Sequence, residues 1–174
     1  MRLLNLVSGI TVALSLALAG TLAQGAQEQQ QRGMQRDGIL ETARGTGQFN
    51  TLVQALEKSG LAQELERGGP YTIFAPTDAA FNKLGKQKVN DLMKPENKDQ
   101  LAEILKYHVV RGEVKAGDVS GKRMRAETLE GGRLQINAKD RRVVRINEAQ
   151  VTQPDIPAQN GVIHAVDEVL MPKG

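Results

Sequence analysis

Few residues of this chain carry the chemistry of a catalyst. There are two histidines, His108 and His164, no cysteine, and the pair Thr77-Asp78 directly after Pro76. A carboxylate and an imidazole can share general acid-base work, a hydroxyl beside them can serve as nucleophile, and histidine with aspartate can ligate a borderline-soft metal. Each role needs its groups brought close together, and the sequence gives no sign of that. Thr77 stands at the start of a helical pattern, where its hydroxyl is a natural cap. The histidines lie in two separate apolar, strand-like stretches without a nearby cluster of ligands, which favours neutral hydrogen-bonded rings. The expectation is no catalytic residue, no metal site and no cofactor. The absence of cysteine also excludes disulfides, thiol catalysis and a lipid anchor on an N-terminal cysteine.

The elements that must position these groups begin with Tyr71 to Leu84. Tyr71, Thr72, Ile73 and Phe74 form a buried-strand pattern, Pro76 ends it, and Thr77 with Asp78 can satisfy the free N–H groups of a helix carrying Ala79, Ala80, Phe81 and Leu84. Before it, Asp37 is placed to cap a short helix with Ile39 and Leu40. Phe49, Leu52, Val53 and Leu56 predict a second helix closed by Gly60, and Leu61 with Leu65 a further apolar stripe. After it, Val89, Leu92 and Met93 predict a short helix ended by Pro95. Asn97 and Gln100 have capping-box spacing ahead of Leu101, Ile104 and Leu105, and Tyr107 to Val110 turns extended. From Gly112 the period is mostly two, with strands expected around Met124 to Leu129, Arg133 to Asn137, Val143 to Ile146 and Val162 to Leu170. A long connection is expected from Pro154 to Gly161, with Asp155 in a rigid exposed turn and Asn160-Gly161 as a tight turn of positive φ. Early helices and late strands define an α+β domain.

The first residues have a different character. Arg2, the apolar run from Leu3 to Ala19 and the small residues through Ala23 and Ala26 predict a signal peptide over residues 1–26, cleaved after about residue 23 to 26. Residues 27–36, glutamine-rich at Gln27 to Gln31, form a flexible lead, and residues 37–172 make one domain. Export implies a secreted protein, extracellular or periplasmic, with no integral membrane segment after processing. The net charge of +3 is a weak bias that does not call for nucleic acid.

Lys139, Arg141, Arg142 and Arg145 form a basic run broken by Asp140. In a strand, Arg141 and Arg145 would point to one face and Arg142 to the other, so the run is not one basic surface by itself; Lys122, Arg123, Arg125 and Arg133 enlarge it if they are adjacent in space. Two readings stay open: a sheet edge protected by charge, and a site for an acidic polysaccharide or other anionic surface.

Three separated segments resemble the fasciclin-like (FAS1) domain of bacterial secreted proteins. TIFAPTDAAFNKL at Thr72 to Leu84 resembles its first signature, LKYHV at Leu105 to Val109 its tyrosine-histidine motif, and NGVIHAVDEVLMP at Asn160 to Pro172 its second signature, in the family's order. The resemblance implies a FAS1-like fold, a β-wedge of two small sheets with helices packed along one side. It implies structural roles for Thr77, Asp78, Tyr107, His108, Asn160, Gly161 and His164, with Thr77, Asp78 and His164 in one hydrogen-bonded framework. Animal members use surfaces near the tyrosine-histidine motif and near a segment resembling Pro154, Asp155 and Ile156 for partner contacts; here that segment is QPDIP, with Gln153 where the family has an acidic residue and Pro157 where it has a hydrophobe.

The function expected is that of a secreted, non-enzymatic adhesion or extracellular interaction module, monomeric or weakly self-associating, binding a surface or matrix protein or a polysaccharide. Its candidate contact residues are Pro154, Asp155, Ile156, Arg141, Arg142 and Arg145. The alternative is a soluble carrier of an apolar ligand such as a carotenoid or lipid, and a hydrolase built on the Asp78 corner is less favoured.

Overall fold

The computed structural model describes residues 37–140 and 142–172. The expected signal peptide and lead, and Arg141, lie outside the described residues.

Three helices open the domain: α1 (Ile39–Thr46), α2 (Asn50–Ser59) and α3 (Leu61–Arg67). The apolar residues recur at helical spacing, and Leu40, Leu52, Leu56 and Leu65 are all buried. Gly47 and Gly60 end α1 and α2 in the left-handed conformation, at φ 67° and 80°, which a side chain would disfavour. Strand β1 (Tyr71–Pro76) follows, then α4 (Asp78–Leu84), α5 (Lys86–Leu92), a 3-10 turn (Pro95–Asn97) and α6 (Lys98–Tyr107). The remainder is β2 (Val109–Arg111), the short α7 (Ala116–Val119), β3 (Arg123–Glu127), β4 (Arg133–Asn137), β5 (Arg145–Ile146), β6 (Ala149–Ala158) and β7 (Gly161–Val166).

The strands join in the order β2-β1-β7-β6-β5-β4-β3 as one open seven-stranded sheet. The two small sheets expected are its two halves, joined through β6, which pairs with β5 at Ala149 and Gln150 and with β7 from Val151 to Ala158. Register shifts at Val151/Gln153 and Gln153/Ile156 bend β6 at the change of partner. The far end curls back: Thr128, just past β3, bridges Val110, and the Leu129 N–H donates to the Val109 carbonyl at 2.8 Å. The sheet therefore encloses its own interior.

β1 lies between β2, antiparallel, and β7, parallel. Buried on both faces, it needs apolar residues throughout, and the period-two alternation sorts them into two cores. Ile73 and Ala75, with Ile163 and Ala165 of β7, face the helices and meet Leu40, Phe49, Leu56 and Leu65. Phe74 and Val166 face the inside of the curled sheet with Leu134, Ile136 and Ile146. Among the described residues no helix is long and apolar enough to cross a membrane.

Several local expectations are corrected. The connection expected from Pro154 to Gly161 is instead the end of β6, to Ala158, and a two-residue turn into β7; beyond Val151, whose N–H donates to the Val144 carbonyl at 2.9 Å, the strand pairs with β7 alone among the described residues, a setting that accepts Pro154 and Pro157. The strand expected over Val143 to Ile146 is reduced to Arg145 and Ile146, and Tyr107 ends α6 instead of starting a strand. Asn97 makes no capping box: its N–H already donates to the Lys94 carbonyl at 3.0 Å and its side chain donates to the Asp91 carbonyl at 2.7 Å. Asp37 makes no side-chain cap on α1, whose N-cap is Gly38.

Candidate functional site

The Thr77 hydroxyl accepts from the Ala80 N–H at 3.3 Å, the N-cap of α4 that the sequence predicts. Asp78 acts elsewhere. Its Oδ1 accepts from the Thr51 N–H at 2.8 Å and its Oδ2 from the Asn50 Nδ2 at 3.0 Å, so the carboxylate caps α2, whose own N-cap residue Phe49 has no side chain for the task. The Asp78 N–H donates to the Gln48 carbonyl at 2.9 Å, completing a joint between the two helix starts. Burial pushes the Asp78 carboxyl upward, but the donors from Thr51 and Asn50 outweigh it and hold the group below its ordinary range. The charge therefore sits at a helix N-terminus, where the peptide dipoles favour it.

His108 is 1% exposed and caps the C-terminus of α6. Its Nδ1 lies 2.7 Å from the Ile104 carbonyl and its Nε2 lies 2.8 Å from the Leu170 N–H. A carbonyl only accepts and an amide only donates, so the ring is neutral with the proton on Nδ1. Burial pushes its pKa down to about 4, against the opposing effect of the Ile104 bond. The His108 carbonyl also accepts from the Phe74 N–H at 2.9 Å, so one residue fastens α6, β1 and the segment after β7. Beside it, the Tyr107 hydroxyl donates to the Arg133 carbonyl at 3.3 Å and accepts from the Asn147 Nδ2 at 3.2 Å, linking α6 to the other half of the sheet.

His164 is the mirror case on β7. Its Nε2 donates to the Val114 carbonyl at 2.8 Å and its Nδ1 accepts from the Asp155 N–H at 3.2 Å, fixing the other neutral tautomer. Burial lowers its pKa, opposed by the Val114 bond and the charge of Asp155. The ring stacks on Phe74, centroids 5.5 Å apart and planes at 20°. Asp155, at φ 57° in the β6 register shift, accepts from the Ala116 N–H at 2.9 Å and so caps α7.

Thr77, Asp78 and His164 thus do not form one framework. Thr77 touches the last strand only through its N–H, which donates to the Val166 carbonyl at 3.2 Å; the carboxylate turns to α2 and the imidazole to the β6 bulge. One contributor escapes the sequence reading, and a residue already given a structural role there acts through other partners than its turn. Thr72, fully buried, donates from its hydroxyl to the Gly112 carbonyl at 2.7 Å and accepts from the Val114 N–H at 2.8 Å. Asn160 has no positive φ, contrary to the turn expected; its side chain accepts from the Ile39 N–H at 2.9 Å and donates to the Leu65 carbonyl at 2.7 Å, clamping α1 and α3 to the β6–β7 hairpin. Gly161 is required for space, since a Cβ there would overlap the Tyr71 carbonyl of the adjoining strand.

The candidate contact residues are scattered. Ile156 is 9% exposed and belongs to the core, so it is removed as a contact residue; Pro154 is exposed, and Asp155 is exposed with its carboxylate engaged. Arg142 lies in a turn, its N–H donating to Asp140 at 3.0 Å, whereas Arg145 lies on the exposed face of β5. Among the described residues, every buried side-chain nitrogen or oxygen has a partner, and no three His, Cys, Asp or Glu converge as a metal would need.

The architecture is thus a curled sheet with helices on one side, fastened by buried polar side chains at its joints. The Fasciclin domain model matches residues 47–172, and the chain belongs to the fasciclin domain family. It is 42% identical over 134 residues to Protein sll1483 of Synechocystis sp., covering 77% of this chain and 73% of that protein. It is 32% identical to Immunogenic protein MPB70 of Mycobacterium bovis, covering 81% of this chain and 72% of that protein. Transforming growth factor-beta-induced protein ig-h3 of Sus scrofa is 37% identical over 77% of this chain, which spans only 19% of its length. The solved structure of a FAS1 domain pair from the insect cell adhesion molecule Fasciclin I superposes at a TM-score of 0.58 with 19% identity, over 72% of this chain and 46% of that one.

Proposed function

We propose that the chain is an exported, non-enzymatic interaction module that attaches to a surface or matrix component, in keeping with the adhesion role named for Fasciclin I. The observation that carries this reading is the use made of the residues able to do chemistry. Thr77, Asp78, His108 and His164 are each bound to backbone groups within the fold, and neither histidine has a nitrogen free to take or give a proton. General acid-base work needs such a group within reach of a substrate. Binding therefore falls to the exposed surface, and the fastened interior serves to hold that surface rigid.

A carrier of an apolar ligand has less support. The crevice lined by Phe74, Val119, Ile136, Val144 and His164 is apolar, but its volume is about 10 Å³. Two larger depressions, of about 530 Å³ beside Glu103, Glu130 and Arg133 and about 640 Å³ beside Arg123, Arg125 and Gln135, are lined chiefly by charged and polar side chains. Small-molecule sites hold roughly 300–1,000 Å³. The test of the module reading is retention of the purified full chain on immobilised surface polysaccharides and matrix proteins, with N-terminal sequencing of the protein recovered outside the cell. Specific retention and a start near residues 24 to 27 are expected. Turnover of an ester or glycoside that Asp78→Asn abolishes at unchanged melting would overturn it.

A further inference from the structure

The outer face of β3, β4 and β5 presents a cluster of guanidinium groups that have no ion pair among the described residues. The register sets Arg123 beside Asn137, Asn137 beside Arg145, and Arg145 beside Gln150 in one row, with Arg125 beside Gln135 in the next. Directly paired residues project to the same face, and the alternating Leu134, Ile136 and Ile146 are buried, so this row is the outward one. Arg123, Arg125, Gln135, Arg145 and Gln150 are exposed and Asn137 is half-buried. Strand geometry separates Arg123 from Arg125 by roughly 7 Å and from Arg145, two strands away, by roughly 10 Å.

The ion pairs among the described residues are made by Arg44, Lys83, Lys94, Lys106 and Lys115, and none of these three arginines takes part. Opposite charges across a strand pair are stabilising and like charges repel, yet the cross-strand positions hold Gln135, Asn137 and Gln150. The same face does hold a carboxylate where it would balance charge: Glu127 is paired with Arg133 in the next row. The arrangement leaves three cations without a cross-strand carboxylate at one end and sets one opposite Arg133 at the other.

The character of the surface selects among anionic partners. Protein interfaces are anchored by buried aromatic or apolar side chains, and the exposed large hydrophobe of the described residues is Met124, at 38%. Single-stranded nucleic acid needs stacking aromatics, and this face has none. What it offers is planar forks that grip carboxylate or sulfate through two hydrogen bonds, interleaved with carboxamides that both donate to and accept from hydroxyls.

We propose that this face, through Arg123, Arg125 and Arg145 with Gln135, Asn137 and Gln150, binds an acidic polysaccharide bearing carboxylate or sulfate groups. The inference rests on the interaction-module reading and takes its polysaccharide branch.

The test passes the full chain over immobilised dextran sulfate, polygalacturonate and uncharged dextran, the first two distinguishing sulfate from carboxylate. The chain is retained by one or both polyanions and not by dextran. The triple variant Arg123→Gln/Arg125→Gln/Arg145→Gln weakens that affinity by roughly tenfold or more, as the loss of charged hydrogen bonds requires. The control Lys58→Gln/Lys86→Gln/Lys88→Gln, which removes the same charge from exposed helix positions, changes it by less than about twofold. Thermal melting of each variant shows that it is folded; if the sheet triple melts early, Arg125→Gln and Arg145→Gln singly each weaken binding about threefold. Equal losses in both triples would mean attraction by net charge alone and overturn the proposal. Retention on uncharged dextran, with the sheet triple unchanged, overturns it while leaving a polysaccharide-binding module standing. Retention on no polysaccharide overturns the polysaccharide branch as a whole, while the module reading then stands or falls on the matrix-protein screen.

Discussion

The two ends of the sheet use polar residues in opposite ways. Around β1, β2 and β7 the polar side chains point inward and are bonded: His108 to Ile104 and Leu170, His164 to Val114 and Asp155, Thr72 to Gly112 and Val114. Around β3, β4 and β5 the interior is aliphatic, with Leu134, Ile136 and Ile146, while the polar groups are arginines and carboxamides turned to water. A buried polar group without a partner is destabilising by the loss of its hydration, whereas an exposed one keeps its hydration whatever it touches. Substitutions at the first end should therefore be read in stability, and substitutions at the second in binding.

The largest separation is expected at His108. His108→Ala removes two hydrogen bonds, strands the Leu170 N–H and Ile104 carbonyl in the core and opens a cavity. Urea unfolding should show a loss of about 3–5 kcal/mol. His108→Leu restores the volume but not the bonds and should recover part of it. A loss below about 1 kcal/mol in His108→Ala would break the contrast.

Acid provides the next test without substitution. Both histidines have folded pKa values below the unfolded value, so above it neither state carries a proton and stability is unaffected. As pH falls below about 6.5 the unfolded chain takes up protons first, and stability declines until the folded rings also protonate. For His108 that end point is about 4, and the two limits imply a loss of about 3 kcal/mol from this residue. Unfolding free energy measured from pH 7 to pH 4 should fall in wild type and fall less steeply in His108→Leu. Equal slopes would place the titration elsewhere.

Asn160→Ala comes third. It leaves the Ile39 N–H and the Leu65 carbonyl without their side-chain partner, and a destabilisation of about 2 kcal/mol is expected in urea unfolding. Asp78→Ala follows with about 1 kcal/mol, the usual value for a lost N-cap. Hydrogen exchange should locate its effect at the first turn of α2 and not of α4, because Thr77 still caps α4. Protection lost at α4 instead would return Asp78 to the role assigned from sequence.

That reassignment marks the limit of what the chain discloses. Local order was legible: the apolar spacing of Leu52, Val53 and Leu56, the strand-helix corner at Pro76 and Thr77, and the strand Arg133–Asn137 all follow from short-range periodicity and capping chemistry. The fasciclin signatures identified the fold because their spacing reflects the whole assembly. Partners distant in sequence were not legible. Asp78 reaches back to Thr51, Asn160 to Ile39 and Leu65, and Asp155 to Ala116, and no local pattern tells a cap for the next helix from a cap for another. The arginine face was legible only in part, since Arg123 and Arg145 meet through Asn137 and that register appears with the fold.

The smallest stability effect is expected at the other end of the sheet, and it matters for the comparison as much as the largest. Among the described residues Arg123, Arg125 and Arg145 have no ion-pair partner to lose, and glutamine keeps a polar, extended side chain on the exposed face. The triple glutamine variant should unfold within about 0.5 kcal/mol of wild type, the range of surface substitutions away from structural features. Removing mutual repulsion acts towards stabilisation, and the effect should shrink as salt is raised. Arg133→Gln supplies the contrast within the face: with Glu127 opposite, its loss removes an attraction instead of a repulsion, so its small change should carry the opposite sign at low salt. Parallel urea titrations at low and high salt measure both. If the triple variant instead loses as much as Asn160→Ala, the arginines belong to the fastening of the sheet, and the division between a polar interior that holds the fold and a polar exterior kept for a partner fails.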